Sequence, residues 1–153
     1  MVVKPLDGLR LATATAPAAG FDVEFAPIFE RLFRALWREL DDRGIAPVGP
    51  QHALYDERAD GRIDVVAAVP VPAGCEIDAA DVTVRNLAPV PRAATLIHVG
   101  DMAECGRTYR VLQRWIEVAE EAPVGFSREV YLDCSGDRRR WVTELQFVLE
   151  TKG

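Results

Sequence analysis

The chain has 153 residues, 49% of them hydrophobic and 27% charged, a length that fits one well-buried domain and a composition that excludes disorder. Eighteen Lys and Arg stand against 24 Asp and Glu, a net charge of −6, and with no basic tract or basic-aromatic stripe to meet phosphates, direct nucleic-acid binding is not expected. No apolar run reaches the length of a membrane span, and Met1-Val2-Val3-Lys4-Pro5 lacks the apolar stretch of a secretory signal, so the chain is expected in the cytoplasm with no membrane partner.

In chain order, Leu9 to Ala16 reads as a strand. From Val23 to Arg43, the residues Phe29, Leu32, Phe33, Leu36 and Leu40 recur at three- and four-residue steps with Arg31, Arg34 and Arg38 between them, the spacing of an amphipathic helix. Asp22 is its expected N-cap and Gly44 the left-handed residue beyond its end. His52 to Asp56, Arg62 to Val71, Val82 to Leu87 and Ala93 to Val99 are the next strands. A second helix is expected from Met102 to Ala119, where Asp101 and Glu104 have capping-box spacing and Cys105, Tyr109, Leu112 and Ile116 share a face. Arg128 to Asp133 and Arg140 to Leu149 complete the strands. Asp60-Gly61 and Ser135-Gly136-Asp137 supply the positive-φ residues of hairpin turns, so the strands on either side of each should be antiparallel.

Motifs for common chemistries are missing. The sequence holds no GxxxxGK[ST], no GxGxxG and no GxSxG, and the two histidines, His52 and His98, stand in no HExxH or Cys/His cluster, so neither a metal nor another cofactor is expected. Cys75, Cys105 and Cys134 are an odd number spread along the chain, which fits reduced packing thiols.

Laid on itself with an offset of 76, the sequence shows a repeat. Ala46-Pro47-Val48-Gly49 falls on Ala122-Pro123-Val124-Gly125, Tyr55 on Tyr131, and Arg31, Arg34, Leu36 and Arg38 on Arg107, Arg110, Leu112 and Arg114. From Phe29 to Asp56 there are nine identities in 28 positions, on both faces of the two helices. The expectation is a single α+β domain over 1–153 built of two strand-helix-strand-strand repeats, about 8–88 and about 90–150. One helix over three strands cannot bury its apolar stripe well. The halves should therefore join into one antiparallel sheet with both helices on one face and a ligand groove between them.

With the repeat in view, the chain resembles the GyrI-like small-molecule-binding family, the effector-binding domain of multidrug-responsive MerR- and AraC-type transcription activators, with an SHS2-type tandem repeat. The segments that carry the resemblance are Gly44-Ile45-Ala46-Pro47-Val48-Gly49 with Tyr55-Asp56, Asp64-Val65 leading to Val69-Pro70-Val71, and Ala94-Thr95-Leu96-Ile97-His98-Val99-Gly100. They continue with Tyr109 to Trp115, Gly125-Phe126-Ser127-Arg128-Glu129-Val130-Tyr131-Leu132 and Trp141-Val142-Thr143-Glu144-Leu145. The resemblance implies an antiparallel sheet of about eight strands and a pocket for cationic aromatic molecules in which Glu129 is the acid and Trp141 an aromatic wall. Relatives that carry Gly-Pro-Tyr before the second helix differ from Gly100-Asp101-Met102 here, which removes an aromatic hydroxyl. Ala53 is the first-half position matching Glu129, so the repeated fold does not itself demand the acid.

A carboxylate among aromatic faces suits a bulky cation through charge and cation–π attraction. The bland alternative pairs Glu129 with an arginine at the sheet surface. Strand alternation places Tyr131 beside Glu129 and Tyr55 beside Ala53. Phe33, Trp37 and Tyr109 on the helices complete the candidate ligand residues, although aromatics at helical spacing are more often core. If Trp141 faces the pocket, alternation turns Glu144 away from it. His98 is expected to be satisfied by a neighbour, and the helix arginines to be solvated.

The functional expectation is a small-molecule-binding protein that senses or sequesters bulky amphipathic, cationic ligands. It would act alone, since no helix-turn-helix precedes the strand near Leu9. The rival is a hydrolase opening cyclopropanoid rings of DNA-alkylating natural products, with Glu129 as its acid–base group. A further alternative is a protein-interaction module such as a gyrase inhibitor, and exposed edge strands leave room for a homodimer.

Overall fold

A computed structural model describes residues 1–21 and 23–152, with Phe126 described by its backbone alone. The fold class is α+β. Eight strands, β1 (Val2–Leu6), β2 (Leu9–Ala18), β3 (His52–Glu57), β4 (Ile63–Pro70), β5 (Thr83–Leu87), β6 (Val90–Val99), β7 (Pro123–Asp133) and β8 (Val142–Leu149), accompany two helices, α1 (Ala26–Asp42) and α2 (Cys105–Val118). The chain divides into two compact units, one of Gly8–Ala88 and one of Met1–Asp7 with Pro89–Gly153. Among the described residues no helix is long and apolar enough to cross a membrane.

In the Gly8–Ala88 unit the strand order is β3-β4-β2-β5, every pairing antiparallel. Strand β4, with neighbours on both sides, buries Val65, Val66, Ala67, Ala68 and Val69. That run of apolar residues without alternation is what a strand covered on both faces requires. Phe29, Leu32, Leu36 and Leu40 form the buried stripe of α1, which packs on β2 and β4. The other unit orders its strands β1-β6-β8-β7, again antiparallel. Here α2 lies over β6, and Leu112 and Ile116 meet Ala94, Leu145 and Leu149 in one core, flanked by Leu96, Tyr109, Trp115 and Phe147.

The repeat is visible in the way the helices end. Gly44, at φ +64°, and Glu120, at φ +53°, are 76 positions apart and both left-handed. After α1 the Ile45 N–H donates to the Leu40 C=O at 2.9 Å, and after α2 the Glu121 N–H donates to the Ile116 C=O at 3.0 Å. Both are the back-turned bonds of a helix C-terminus. Gly61 and Gly136 take the positive φ of their turns, and β3–β4 and β7–β8 are the expected hairpins.

Several boundaries differ from the sequence expectations. Helix α1 starts at Ala26 rather than Val23, with Phe25 at the N-cap and no side-chain cap bond. Pro27 fixes this: a proline lacks the N–H that an interior position donates, so it belongs in the first turn. The expected cap, Asp22, lies outside the described residues. Met102–Glu104 is a 3-10 turn ahead of α2, and the Asp101 carboxylate accepts from the Ala103 N–H at 3.0 Å. The capping residue is thus the expected one, at a tighter turn. Arg138–Arg140 form another 3-10 turn, so β8 begins at Val142 rather than Arg140.

Strand β1 was not expected, because Pro5 sits inside a run of five residues. It is tolerated because β1 is an edge strand, and its pairing with β6 slips between Lys4 and Leu6. The start of β6 at Val90 rather than Ala93 has the same origin, since Val90 pairs with Leu6.

Candidate functional site

Strand register puts the acid under α2. Glu129 on β7 is opposite Leu145 on β8, which is opposite Leu96 on β6; Tyr131 is opposite Thr143, which is opposite His98. These positions share one face of the sheet, and Leu96 and Leu145 place that face against α2. Glu129 is 3% exposed. Its Oε2 accepts a hydrogen bond from the Tyr109 hydroxyl at 2.6 Å and its Oε1 one from the Tyr131 hydroxyl at 2.9 Å. Two phenol donors on one carboxyl group favour its ionised form, to which such bonds are stronger than between neutral groups. Alternation along β7 places the second phenol. The first comes from α2, twenty residues earlier.

Cys105, one turn before Tyr109 on α2, lies close enough to feel the carboxylate. Burial chiefly, and then the negative charge of Glu129, push its thiol up to about 11. At neutral pH it is therefore an uncharged, half-buried group. The expectation of a packing thiol misses this neighbour, for which the i, i+4 relation to Tyr109 is the signal in the sequence.

Around this centre the strand ends are tied to the start of α2. The Thr143 hydroxyl donates to Met102 Sδ at 3.2 Å, so the side chain at this position is a soft acceptor rather than an aromatic hydroxyl. His98 is buried, its Nε2 3.0 Å from the Asp101 C=O and its Nδ1 2.7 Å from the Thr108 hydroxyl. A carbonyl only accepts, so Nε2 carries a proton. Both ring nitrogens are engaged, as expected of a satisfied strand histidine. Trp141 is half-buried beside β8. Its indole N–H is enclosed and meets no acceptor among the described residues, and the Arg138 guanidinium lies 5.4 Å from the ring centroid.

Glu144 faces away from Glu129, opposite Val130 and Ile97, where it receives Lys4 Nζ at 2.9 Å and Gln146 Nε2 at 2.7 Å. Tyr55, Phe33 and Trp37 belong to the Gly8–Ala88 unit. Tyr55 is buried there with its ring edge-on to Phe25 and Phe29, at 5.3 and 5.6 Å between centroids. Phe33 stacks obliquely on Phe29 at 6.2 Å, and Trp37 is half-buried on α1. At the place equivalent to Glu129, Ala53 is fully buried. One repeat thus holds an acid with two phenols, the other a phenol among phenylalanines. Arg31, Arg34, Arg38, Arg107, Arg110 and Arg114 are all exposed. Cys75, Cys105 and Cys134 are free. Among the described residues no three His, Cys, Asp or Glu side chains gather as a metal site would need.

No family model matches the sequence, and no curated protein does. Solved structures do match. The C-terminal domain of EcmrR superposes with a TM-score of 0.82 at 19% identity, over 99% of this chain and 97% of that one. In the complex of EcmrR with DNA the TM-score is 0.81, and the chain spans 57% of EcmrR. SAV2435 bound to tetraphenylphosphonium gives 0.66 at 13% identity, over 97% and 93%, and a hydrolase from Listeria innocua 0.61 at 11%, over 96% and 92%. At such identities the likeness is one of fold.

Proposed function

We propose that this chain is a GyrI-like effector-binding domain that takes up bulky, amphipathic organic cations at Glu129. One observation carries the reading: a carboxylate 3% exposed, with a phenol on each oxygen. A buried acid attracts a positive charge strongly because the medium around it screens little. The faces of Tyr109 and Tyr131 add cation–π attraction. The phenols fix the carboxylate in place, so the ligand need not order it on arrival. The fold shared with SAV2435, which holds tetraphenylphosphonium, supports the cationic class, and the fold shared with EcmrR supports the role of effector binding.

The hydrolytic reading uses the same acid and draws on the likeness to a Listeria innocua hydrolase. There Glu129 would hold or deprotonate a water for attack on a strained ring. Titration of intrinsic tryptophan fluorescence with tetraphenylphosphonium and with a neutral aromatic of similar size, on the wild type and Glu129→Gln, tests the proposal. We expect saturable quenching by the cation, weakened about tenfold or more by the substitution, about 1.4 kcal/mol or more, with the neutral compound unaffected. Equal affinity of both proteins for the cation, or no response, would overturn it. Mass spectrometry of mixtures with a cyclopropane-bearing alkylator separates the rival: a ligand that gains the mass of water with wild type alone makes the protein a hydrolase.

A further inference from the structure

The two neighbours of β2 cover it unequally. Strand β4 pairs with Leu11–Ala18, whereas β5 pairs only with Leu9–Thr13. The direction of the remaining backbone groups follows from one bond and one residue. The Val71 N–H, just past β4, donates to the Arg10 C=O at 3.0 Å, so even-numbered residues of β2 turn their amide groups toward β4 and odd-numbered ones toward β5. Pro17 agrees, because a proline in a strand sits where its missing N–H would face away from a partner. Strand β5 leaves at the Thr13–Thr83 pair, whose hydroxyls are 3.0 Å apart. Beyond it, among the described residues, the N–H and C=O of Thr15 and the C=O of Pro17 face no strand.

Thr15 lines a cleft of about 470 Å³ between α1, β2 and the segment before β5. Leu32 and Ala35 give it an apolar wall, and Arg31 and Asp81 a guanidinium and a carboxylate, both exposed. Among the described residues neither of these two charges has an ion-pair or hydrogen-bond partner. One full backbone donor–acceptor pair and two charges of opposite sign are the complement of a short extended zwitterion. A strand edge recognises a main chain through its amides and leaves side-chain choice to the walls.

We propose that this cleft binds a free peptide of two or three residues. Its main chain continues the β5 ladder on Thr15, its carboxylate meets Arg31, and its ammonium meets Asp81. The length follows from the edge, which Thr83 closes at one end and Pro17 at the other. A strand of another protein needs several consecutive free amides, and this edge offers the full pair of one residue. The site lies in the Gly8–Ala88 unit and is independent of the reading of Glu129.

Calorimetric titration of the whole protein with trialanine, with amide chemical shifts followed in parallel, tests the proposal. Both Arg31→Gln and Asp81→Asn change exposed residues, so the fold is kept. We expect saturable binding with shifts centred on Thr15, weakened about tenfold or more by either substitution and by acetylation and amidation of the peptide ends. Glu129→Gln should leave it unchanged. Absence of binding at millimolar trialanine, equal affinity of the capped peptide, or loss of binding in Glu129→Gln with retention in Arg31→Gln would each overturn the proposal. A preference for long capped peptides would do so in favour of a protein strand.

Discussion

Replacing Tyr109 by Phe removes one hydroxyl and leaves the ring, so the core around α2 keeps its volume and the 2.6 Å bond to Glu129 is lost. A hydrogen bond to a charged group contributes about 1.5–3 kcal/mol. The short distance and the near-complete burial of the acceptor place Tyr109→Phe in that range. For a domain of this size about 2 kcal/mol corresponds to a fall in Tm of about 4–8 °C. Tyr131→Phe removes the longer 2.9 Å bond and should cost less. The two losses should not add, because both donors serve one carboxylate. In a Glu129→Gln background the amide oxygen still accepts but carries no charge, so Tyr109→Phe should there cost only about 1 kcal/mol. Urea unfolding of the wild type, both single variants and the double variant gives the coupling as a difference of differences. We expect about 1 kcal/mol. A Tyr109→Phe variant within about 0.5 kcal/mol of wild type, or a coupling indistinguishable from zero, would refute the idea that the phenols hold a charged carboxylate.

Two titrations follow from neighbouring groups. With Cys75 and Cys134 replaced by Ser, the alkylation rate of Cys105 should rise with pH toward a midpoint near 11, about a hundredfold slower at pH 8 than for a thiol at the ordinary value. Glu129→Gln should lower that midpoint only in part, because burial is the larger cause; a midpoint unmoved by the substitution would separate Cys105 from the acid. Glu121, its side chain 6% exposed, accepts from Arg92 at 2.8 and 3.1 Å and from Lys152 at 2.9 Å, and these partners hold it down at about 2. A carboxyl lowered in the folded state contributes stability that is fully present above about pH 4.5 and is lost as pH falls toward 2. Chemical denaturation across that window should show a shallower acid limb for Glu121→Gln, and an unchanged limb would contradict the assignment.

Much of this architecture was legible because period and punctuation agree. The helix stripes, Leu32-Leu36-Leu40 and Leu112-Ile116, could face only one way, and the 76-residue offset carried the helix ends, the hairpins and the tyrosine pair together. Alternation gave Glu129 and Tyr131 a common face and turned Glu144 to the other. What the sequence could not show depends on partners far along the chain. Strand β1 looks too short and too proline-marked until β6 lies beside it. The Tyr109–Glu129 bond joins a helix to a strand, and Cys105 acquires its raised value only from the burial and charge that this packing creates. The start of α1 was legible in principle: Pro27 had already fixed it.

The membership of Met1–Asp7 in the later unit bears on how the chain comes to be folded. Gly8–Ala88 is continuous in sequence, so during synthesis all its strands and its helix are available as soon as that stretch has emerged. The unit that carries Glu129 joins Met1–Asp7 to Pro89–Gly153, two stretches that lie on either side of Gly8–Ala88 in sequence. The Thr95 hydroxyl that binds the Val2 C=O at 2.9 Å is 93 positions away, and a loop of that length must close before β1 has an edge to pair with. Until β6 emerges, Val2 and Val3 wait as an unpaired strand. The half of the molecule with the acid is therefore the half that can be completed only last, and a fragment cut at Pro89 would present β6 as a bare edge where the native chain has β1.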